Sequence, residues 1–253
     1  MIRAAGPLGR YITYEPAADP KKKQPGRFRL LGGEANAQTL LRRVVWDRVD
    51  DEQADEVLLV QAAARMFPHP LLKAANRRRA AAVSRLHERS FAVCSFEVKV
   101  IGRMVIGIGD ENPHENSLRL HGTYGTPILP GQALKGVTRV IAKESGDAEA
   151  EVLALGGPAQ GAVLFLDALP LPGGHAAPEV LTPHGEEWAP PIPITFLTLT
   201  NATFQVHLVG FGRYGEVATD YAKEWLATAL QDVGVGAKTA SGYGYMKVAE
   251  AEG

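Results

Sequence analysis

A chain of 253 residues with 45% hydrophobic content has the material for one sizeable core, or for a core with an extension. The single cysteine, Cys94, excludes an internal disulfide and a multi-cysteine zinc site. No apolar run is long enough to span a membrane and no charged-then-apolar leader is seen, which predicts an intracellular, cytoplasmic setting. Net charge is −1, yet residues 1–89 carry 17 Lys+Arg against 10 Asp+Glu, which is +7, and residues 90–253 carry 10 against 18, which is −8. Such asymmetry predicts that the basic half meets a polyanion or an acidic partner.

In chain order, residues 1–36 are rich in Gly, Pro and Lys, with Lys21-Lys22-Lys23 before Pro25-Gly26, and read as a loosely structured arm. Leu40, Leu41, Val44, Val45 and Val49 form a helical stripe over 38–49. A second helix begins near Asp55 and is ended by Pro68 and Pro70. A third, over 71–90, carries Arg77, Arg78, Arg79, Arg85 and Arg89 on a basic face, for solvent or for a phosphate backbone. At Phe91 the period becomes two: Phe96, Val98, Val100, Met104, Ile106 and Ile108 predict a half-buried strand bent at Gly102. Residues 110–120 are a polar insertion.

Then comes His121-Gly122-Thr123-Tyr124-Gly125-Thr126-Pro127-Ile128-Leu129-Pro130-Gly131-Gln132-Ala133-Leu134-Lys135-Gly136-Val137-Thr138-Arg139. Pro127 and Pro130 bar regular helix before Gly131, and Leu134, Val137 and Ile141 then predict a buried stripe. Lys135 and Arg139 stand four residues apart on one face, near a helix N-terminus with its free N–H groups. That suits an anion, most simply a phosphate; a solvated pair is the alternative. Residues 161–167 read as a strand covered on both faces, 170–193 as irregular, and 194–200 with 204–209 as a hairpin. A helix over 217–230, a glycine-rich loop over 234–244 and a strand over 243–248 complete the chain. From Phe91 the order strand, helix, strand, strand, helix, strand predicts an α+β, ferredoxin-like (RRM-like) βαββαβ domain over 91–253. Residues 1–90 are then a basic arm and helical extension.

Gly236-Ala237-Lys238-Thr239 fails as a nucleotide P-loop, because an Ala separates Gly from Lys and a strand follows where a helix is needed. Gly107-Ile108-Gly109 lacks the rest of a dinucleotide fingerprint. His114, His121, His175, His184 and His207 show no metal-ligand spacing, and Asp110, Glu111 and Asp167 read as ordinary loop acids. His121 alone is placed to be a general base, against a structural or RNA-contacting role. No cofactor, metal or catalytic residue is expected.

Two segments rise above this background. Gly131-Gln132-Ala133-Leu134-Lys135-Gly136-Val137-Thr138-Arg139 resembles the "PGSSLKGVLR" motif of the RAMP superfamily of CRISPR-associated proteins, and 234–244 resembles that superfamily's C-terminal glycine-rich loop. More narrowly, His121-Gly122-Thr123-Tyr124-Gly125-Thr126-Pro127, Phe165-Leu166-Asp167-Ala168-Leu169-Pro170, Leu181-Thr182-Pro183-His184 and Pro193-Ile194-Thr195-Phe196-Leu197 resemble the last-numbered RAMP subunit family of the type III-B (Cmr) effector complex. The resemblance spans roughly 100–248; Gly131-Gln132-Ala133 departs from it where the family carries a serine pair.

The resemblance implies an RNA-binding, non-catalytic subunit of a crRNA-guided ribonucleoprotein in antiviral defence, capping the backbone filament near the crRNA 3′ end. Its implied partners are crRNA, target RNA through it, and neighbouring Cmr subunits, with no membrane. Gly131, Gln132, Lys135 and Arg139 would form one wall of an RNA groove, and Lys238, Thr239, Ser241 and Tyr243 the other. His121 and Tyr124 would touch sugar or base. The alternatives are a stand-alone, metal-independent RAMP endoribonuclease processing CRISPR repeat RNA, and an assembly cap without RNA contact.

Overall fold

The computed structural model describes residues 2–5, 12–15, 27–30, 36–43, 45–46, 52–108, 118–181 and 194–249. In chain order they form β1 (Ile2–Ala5), β2 (Ile12–Glu15), β3 (Arg27–Leu30), α1 (Ala37–Arg43), β4 (Val45–Trp46), α2 (Glu52–Ala63) and α3 (His69–Glu88). These are followed by β5 (Ala92–Val100), β6 (Arg103–Met104), α4 (Gly131–Glu144), α5 (Ala148–Leu155), β7 (Val163–Phe165), β8 (Leu169–Pro170) and β9 (His175–Leu181). The last elements are β10 (Ile194–Thr200), β11 (Thr203–Gly210), α6 (Gly215–Asp232), a 3₁₀ turn at Thr239–Ser241, and β12 (Met246–Val248). Lys21, Lys22, Lys23, Asp110, Glu111, His114 and His184 lie outside the described residues, as does most of the 110–120 insertion. Contacts group the chain into two units: 1–66 with 107–126 and 175–198, and 67–106 with 127–174 and 199–253. Both units take segments from either side of residue 90, where the sequence suggested a boundary.

In the first unit, β3-β2-β1-β4 is an antiparallel sheet. The region expected to be a loose arm therefore contains three strands. Each alternates over only four residues, too short to stand out against the flanking Gly, Pro and Lys. The helix expected over 38–49 ends at Arg43, and Val45 pairs with Ala5 of β1; the β-branched pair Val44-Val45 favours strand over a further helical turn. Asn36 caps α1, its Oδ1 accepting the Thr39 N–H at 2.9 Å. Residues 175–181, expected to be irregular, form β9 at the edge of the order β6-β10-β9. Pro178 is tolerated there because an edge strand need not donate outward.

The second unit is built on the sheet β12-β5-β11-β7, antiparallel throughout, with β8 also on β11. In sequence order that is fourth, first, third, second, with α4 between the first two and α6 between the last two. Val98, Val100, Phe204, Val206 and Leu208 are buried on the helix side. Gly210 belongs to the same face, where a Cβ would strike the Gly215 carbonyl and the Thr219 hydroxyl of α6. The buried stripe of α4 is Gly131, Leu134, Thr138 and Ala142, a shift from the expected Leu134, Val137 and Ile141. Thr138 donates its hydroxyl to the Leu134 carbonyl at 2.7 Å, so its polar atom is satisfied inside the helix packing.

Three expectations change here. The strands over 194–200 and 204–209 are not a hairpin: β10 pairs with β6, Leu199 opposite Met104, while β11 pairs with β5. Asn201, at φ 54°, turns the chain from one sheet to the other, a conformation that Asn tolerates. The break at Gly102 is present, with φ 68°, and separates β5 from β6. Pro70 begins α3 rather than ending α2, in the first turn where no N–H is required. The strand expected over 161–167 shortens to β7, and Leu164 is half exposed, so only one of its faces is covered. Helix α5 escaped the sequence reading because its buried Ala150, Ala154 and Leu155 form no recognisable apolar stripe.

Candidate nucleic-acid interface

Helix α4 starts against the end of β7. Gly131 is buried there, since a Cβ would meet the Phe165 carbonyl oxygen, and its N–H is donated to Asp167 Oδ1 at 2.8 Å. This carboxylate complements the positive end of the helix dipole from within the protein. The Gly131 amide, expected to face phosphate, is thus turned inward. Asp167, read from the sequence as an ordinary loop acid, is the residue that anchors this helix. Only its position after an apolar strand could have hinted at it.

Gln132 is exposed on the first turn and Lys135 is half-buried one turn further on. Burial, and then the neighbouring Arg139 charge, lower the Lys135 pKa from its ordinary value; four residues apart in α4, the two cations lie on neighbouring turns. Lys135 has no ion-pair partner among the described residues. Arg139 is differently employed. Its Nη2 donates to the carbonyls of Leu155 (2.8 Å) and Gly156 (3.0 Å), and its Nε lies 3.8 Å from Glu151 Oε1. A guanidinium at the C-terminal carbonyls of α5 satisfies that helix end. The expected phosphate contact by Arg139 must therefore be shared with this structural duty.

The glycine-rich loop is laced to the chain just beyond β5. Ala237 N–H donates to Val105 O at 2.8 Å and Gly244 N–H to Arg103 O at 2.9 Å. Gly236 and Gly244 have positive φ, and a Cβ would strike the Val105 carbonyl in one case and the Val235 carbonyl in the other. These glycines admit the protein's own backbone. Gly242 is different: at φ 87° it has nothing within 4 Å on its Cβ side. It sits beside exposed Ala240 and Ser241, with Lys238 and Thr239 half-buried, and so belongs to an open loop tip. Tyr243 is only 8% exposed and presents no stacking surface.

β5 and β7 run the same way, because each is antiparallel to β11, and β12 runs against β5. The start of α4 follows the end of β7 and the loop precedes β12, at opposite edges of the sheet. Phe165 lies level with Cys94 through Leu208, and Met246 lies level with Val100, so the two are also staggered along the strands by roughly 20 Å.

His121 and Tyr124 fall in the other unit. Their rings stack at 4.3 Å between centroids, and His121 Nδ1 accepts the N–H groups of Thr123 (3.2 Å) and Tyr124 (3.4 Å). With Nδ1 held as acceptor, the neutral ring carries its proton on Nε2. Asn36 Nδ2 supports the same turn through Thr123 O at 3.1 Å, a role the sequence did not signal. Among the described residues no cluster of His, Cys, Asp or Glu could hold a metal ion, and no helix is long and apolar enough to cross a membrane.

Among proteins of known role, the chain is 29% identical over 223 residues to "CRISPR system Cmr subunit Cmr6" of Pyrococcus furiosus, covering 58% of this chain and 65% of that one. It thus spans just under two thirds of that relative's length. Among solved structures it is similar to a chain of the cryo-EM structure of the type III-B Cmr-beta complex bound to cognate target RNA. The TM-score there is 0.67 at 19% identity, over 78% of this chain and 71% of that one, a likeness of fold. The crystal structure of Cmr6 from Pyrococcus furiosus aligns with TM-score 0.45 and 25% identity, over 63% and 99% of the two chains. The sequence model of the RAMP superfamily matches residues 97–247, taking in both α4 and the glycine-rich loop, and the chain belongs to that superfamily.

Proposed function

We propose that this protein is an RNA-binding structural subunit of a type III-B CRISPR (Cmr) crRNA-guided effector complex, capping the backbone filament near the crRNA 3′ end in antiviral defence. The observation that carries the reading is that Lys135 and exposed Gln132 on α4, and the open tip Lys238-Thr239-Ala240-Ser241-Gly242, both lie inside the region matched by the superfamily. The likeness to Cmr6 and to a Cmr-beta chain supports the choice of complex. The order β12-β5-β11-β7 supports a ferredoxin-like reading of the second unit, and Lys73, Arg77, Arg78, Arg79 and Arg85 of α3 support a basic helical extension.

In this reading Lys135 and Lys238 neutralise guide phosphates, while Gln132, Thr239 and Ser241 supply hydrogen bonds that fix register without reading sequence. Arg139 adds charge beside Lys135 while it holds α5. Gly131 sets the start of the helix and Tyr243 fills the base of the loop. His121 and Tyr124 form a second contact for sugar or base. The subunit performs no chemistry on the RNA, in keeping with the tied Nδ1 of His121.

The test is the assembled complex carrying Lys135→Gln with Lys238→Gln. Guide retention should fall, and the log–log salt slope should shrink by about 1.4, at about 0.7 per lost single-strand phosphate contact. Full guide occupancy with an unchanged slope would refute the assignment. Incubation of the purified protein with repeat RNA and a chelator separates the endoribonuclease reading, which requires cleavage abolished by His121→Ala.

A further inference from the structure

The face of the second unit's sheet opposite α4 and α6 is not bare. Alternation along β5 and β11 sends Val93, Ser95, Gln205 and His207 to that side, with Ser95 directly opposite His207. Helix α3 lies over it. Between α3, the two central strands and Leu171-Pro172 is a groove of about 670 Å³, within the range of ordinary small-ligand sites.

Its polar groups are unfinished. His207 is only 5% exposed, yet a single hydrogen bond is made by its ring, from Nδ1 to Ser95 Oγ at 2.7 Å; Nε2 has no partner among the described residues. Burial, and then the Arg79 charge, push its pKa down to about 4, so the ring is neutral at ordinary pH. Asn76 is stranger. Its Nδ2 donates to Leu72 O at 3.0 Å and to Pro170 O at 2.9 Å, two carbonyls that fix which end of the amide is nitrogen. Its Oδ1 is buried and accepts from no donor among the described residues. A buried acceptor without a donor costs stability unless something brings one. At the rim stand exposed Lys73 and Arg77, among the described residues no carboxylate lines the groove, and Val83, Leu171 and Pro172 make the walls apolar.

Asn76 Oδ1 is closed off from the groove's solvent, so the group left for a ligand is His207 Nε2. A ligand that suits the groove needs a flat body that tolerates apolar walls and a neutral imidazole, and negative charge for the rim. Free phosphate supplies the charge but no body for the walls, and an aliphatic chain leaves the imidazole and the rim cations unpaired. We propose that the groove is a nucleotide-binding site, with the base between α3 and the sheet, His207 Nε2 against base or ribose, and phosphate at Lys73 and Arg77. The nucleotide is either a free mononucleotide or an unpaired nucleotide of single-stranded RNA. The site stands independently of the function proposed above, on the other face of the sheet from α4.

The test is calorimetric titration of the full-length protein with AMP, adenosine, inorganic phosphate and a 5′-phosphorylated single-stranded dinucleotide, with hydrogen exchange to map the site. AMP should bind with 1:1 saturation and protect α3 together with the amides near Leu171. Lys73→Gln with Arg77→Gln, both exposed and safe for folding, should weaken AMP by about tenfold while leaving adenosine little changed. His207→Phe should weaken both. Tighter binding of the dinucleotide than of AMP assigns the site to RNA; the reverse order assigns it to a free nucleotide. The proposal is overturned if neither saturates by about 1 mM, where even a weak specific site registers. It is equally overturned if phosphate alone matches AMP, if the Lys73/Arg77 variant binds AMP unchanged, or if protection maps to α4.

Discussion

His207 shows how far single residues can be read from sequence. The alternation Phe204, Gln205, Val206, His207, Leu208 already separates the two faces of its strand. Its partner Ser95 lies 112 residues away, so no local pattern announces the bond. The same holds for Asp167 and the Gly131 amide, 36 residues apart, and for Arg139 on the α5 carbonyls, because helical spacing fixes a side chain's direction and not what it meets. The environment of His207 has a consequence for stability. Its folded pKa of about 4 lies below the ordinary 6.5, so the unfolded chain takes up the proton first. The neutral ring therefore carries no penalty above pH 6.5, and stability is lost as pH falls through 6.5 toward 4. Urea unfolding should show the native protein losing about 2 kcal/mol more than His207→Gln between about pH 7.5 and about pH 5. Parallel pH profiles would mean that the histidine is not held neutral.

At the scale of elements, type was more legible than extent. α3, α4, β11 and α6 follow strong periodicities and were expected at nearly their true positions, whereas the strand expected to reach Ile108 ends as β5 at Val100, with only β6 beyond the bend. The short pieces β1 to β4, α5 and β9 were not, because two to eight residues give a period too few repeats to register. Within α4 the two glycines of the RAMP-like motif have opposite circumstances. Gly131 is packed on the Phe165 carbonyl, whereas Gly136 is exposed with nothing within 4 Å of a built Cβ. Gly131→Ala must push helix from strand and should destabilise by about 1–3 kcal/mol. Gly136→Ala meets no obstacle and should stabilise by up to about 1 kcal/mol through helix propensity. Denaturant midpoints that move in the same direction for both substitutions would contradict this account of how α4 is seated.

For the whole molecule, the charge division read from sequence is realised in part by the arginines of α3, while the pairing of strands across units of sequence was beyond reach. β5 and β11 are in register from Lys99 opposite Thr203 to Ala92 opposite Gly210, and about a hundred residues of chain separate them. No local signal sets such a pairing, which also explains why a neighbouring strand was mistaken for β11's hairpin partner. This central pair holds fully buried side chains, with Val98, Phe204, Val206 and Leu208 all at 0% exposure. Its flanking strands β7 and β12 are only three residues long. Backbone amides at the centre should open only with the cooperative unfolding of the unit, whereas those of the flanks open by local fraying. Hydrogen exchange should accordingly be slowest in β5 and β11 and faster in β7 and β12, with Val206→Ala accelerating the central amides through a loss of about 2–4 kcal/mol. If β7 or β12 exchanged as slowly as the centre, the sheet would have to be held from its edges, and α4 and the glycine-rich loop would rest on a stiffer frame than this packing provides.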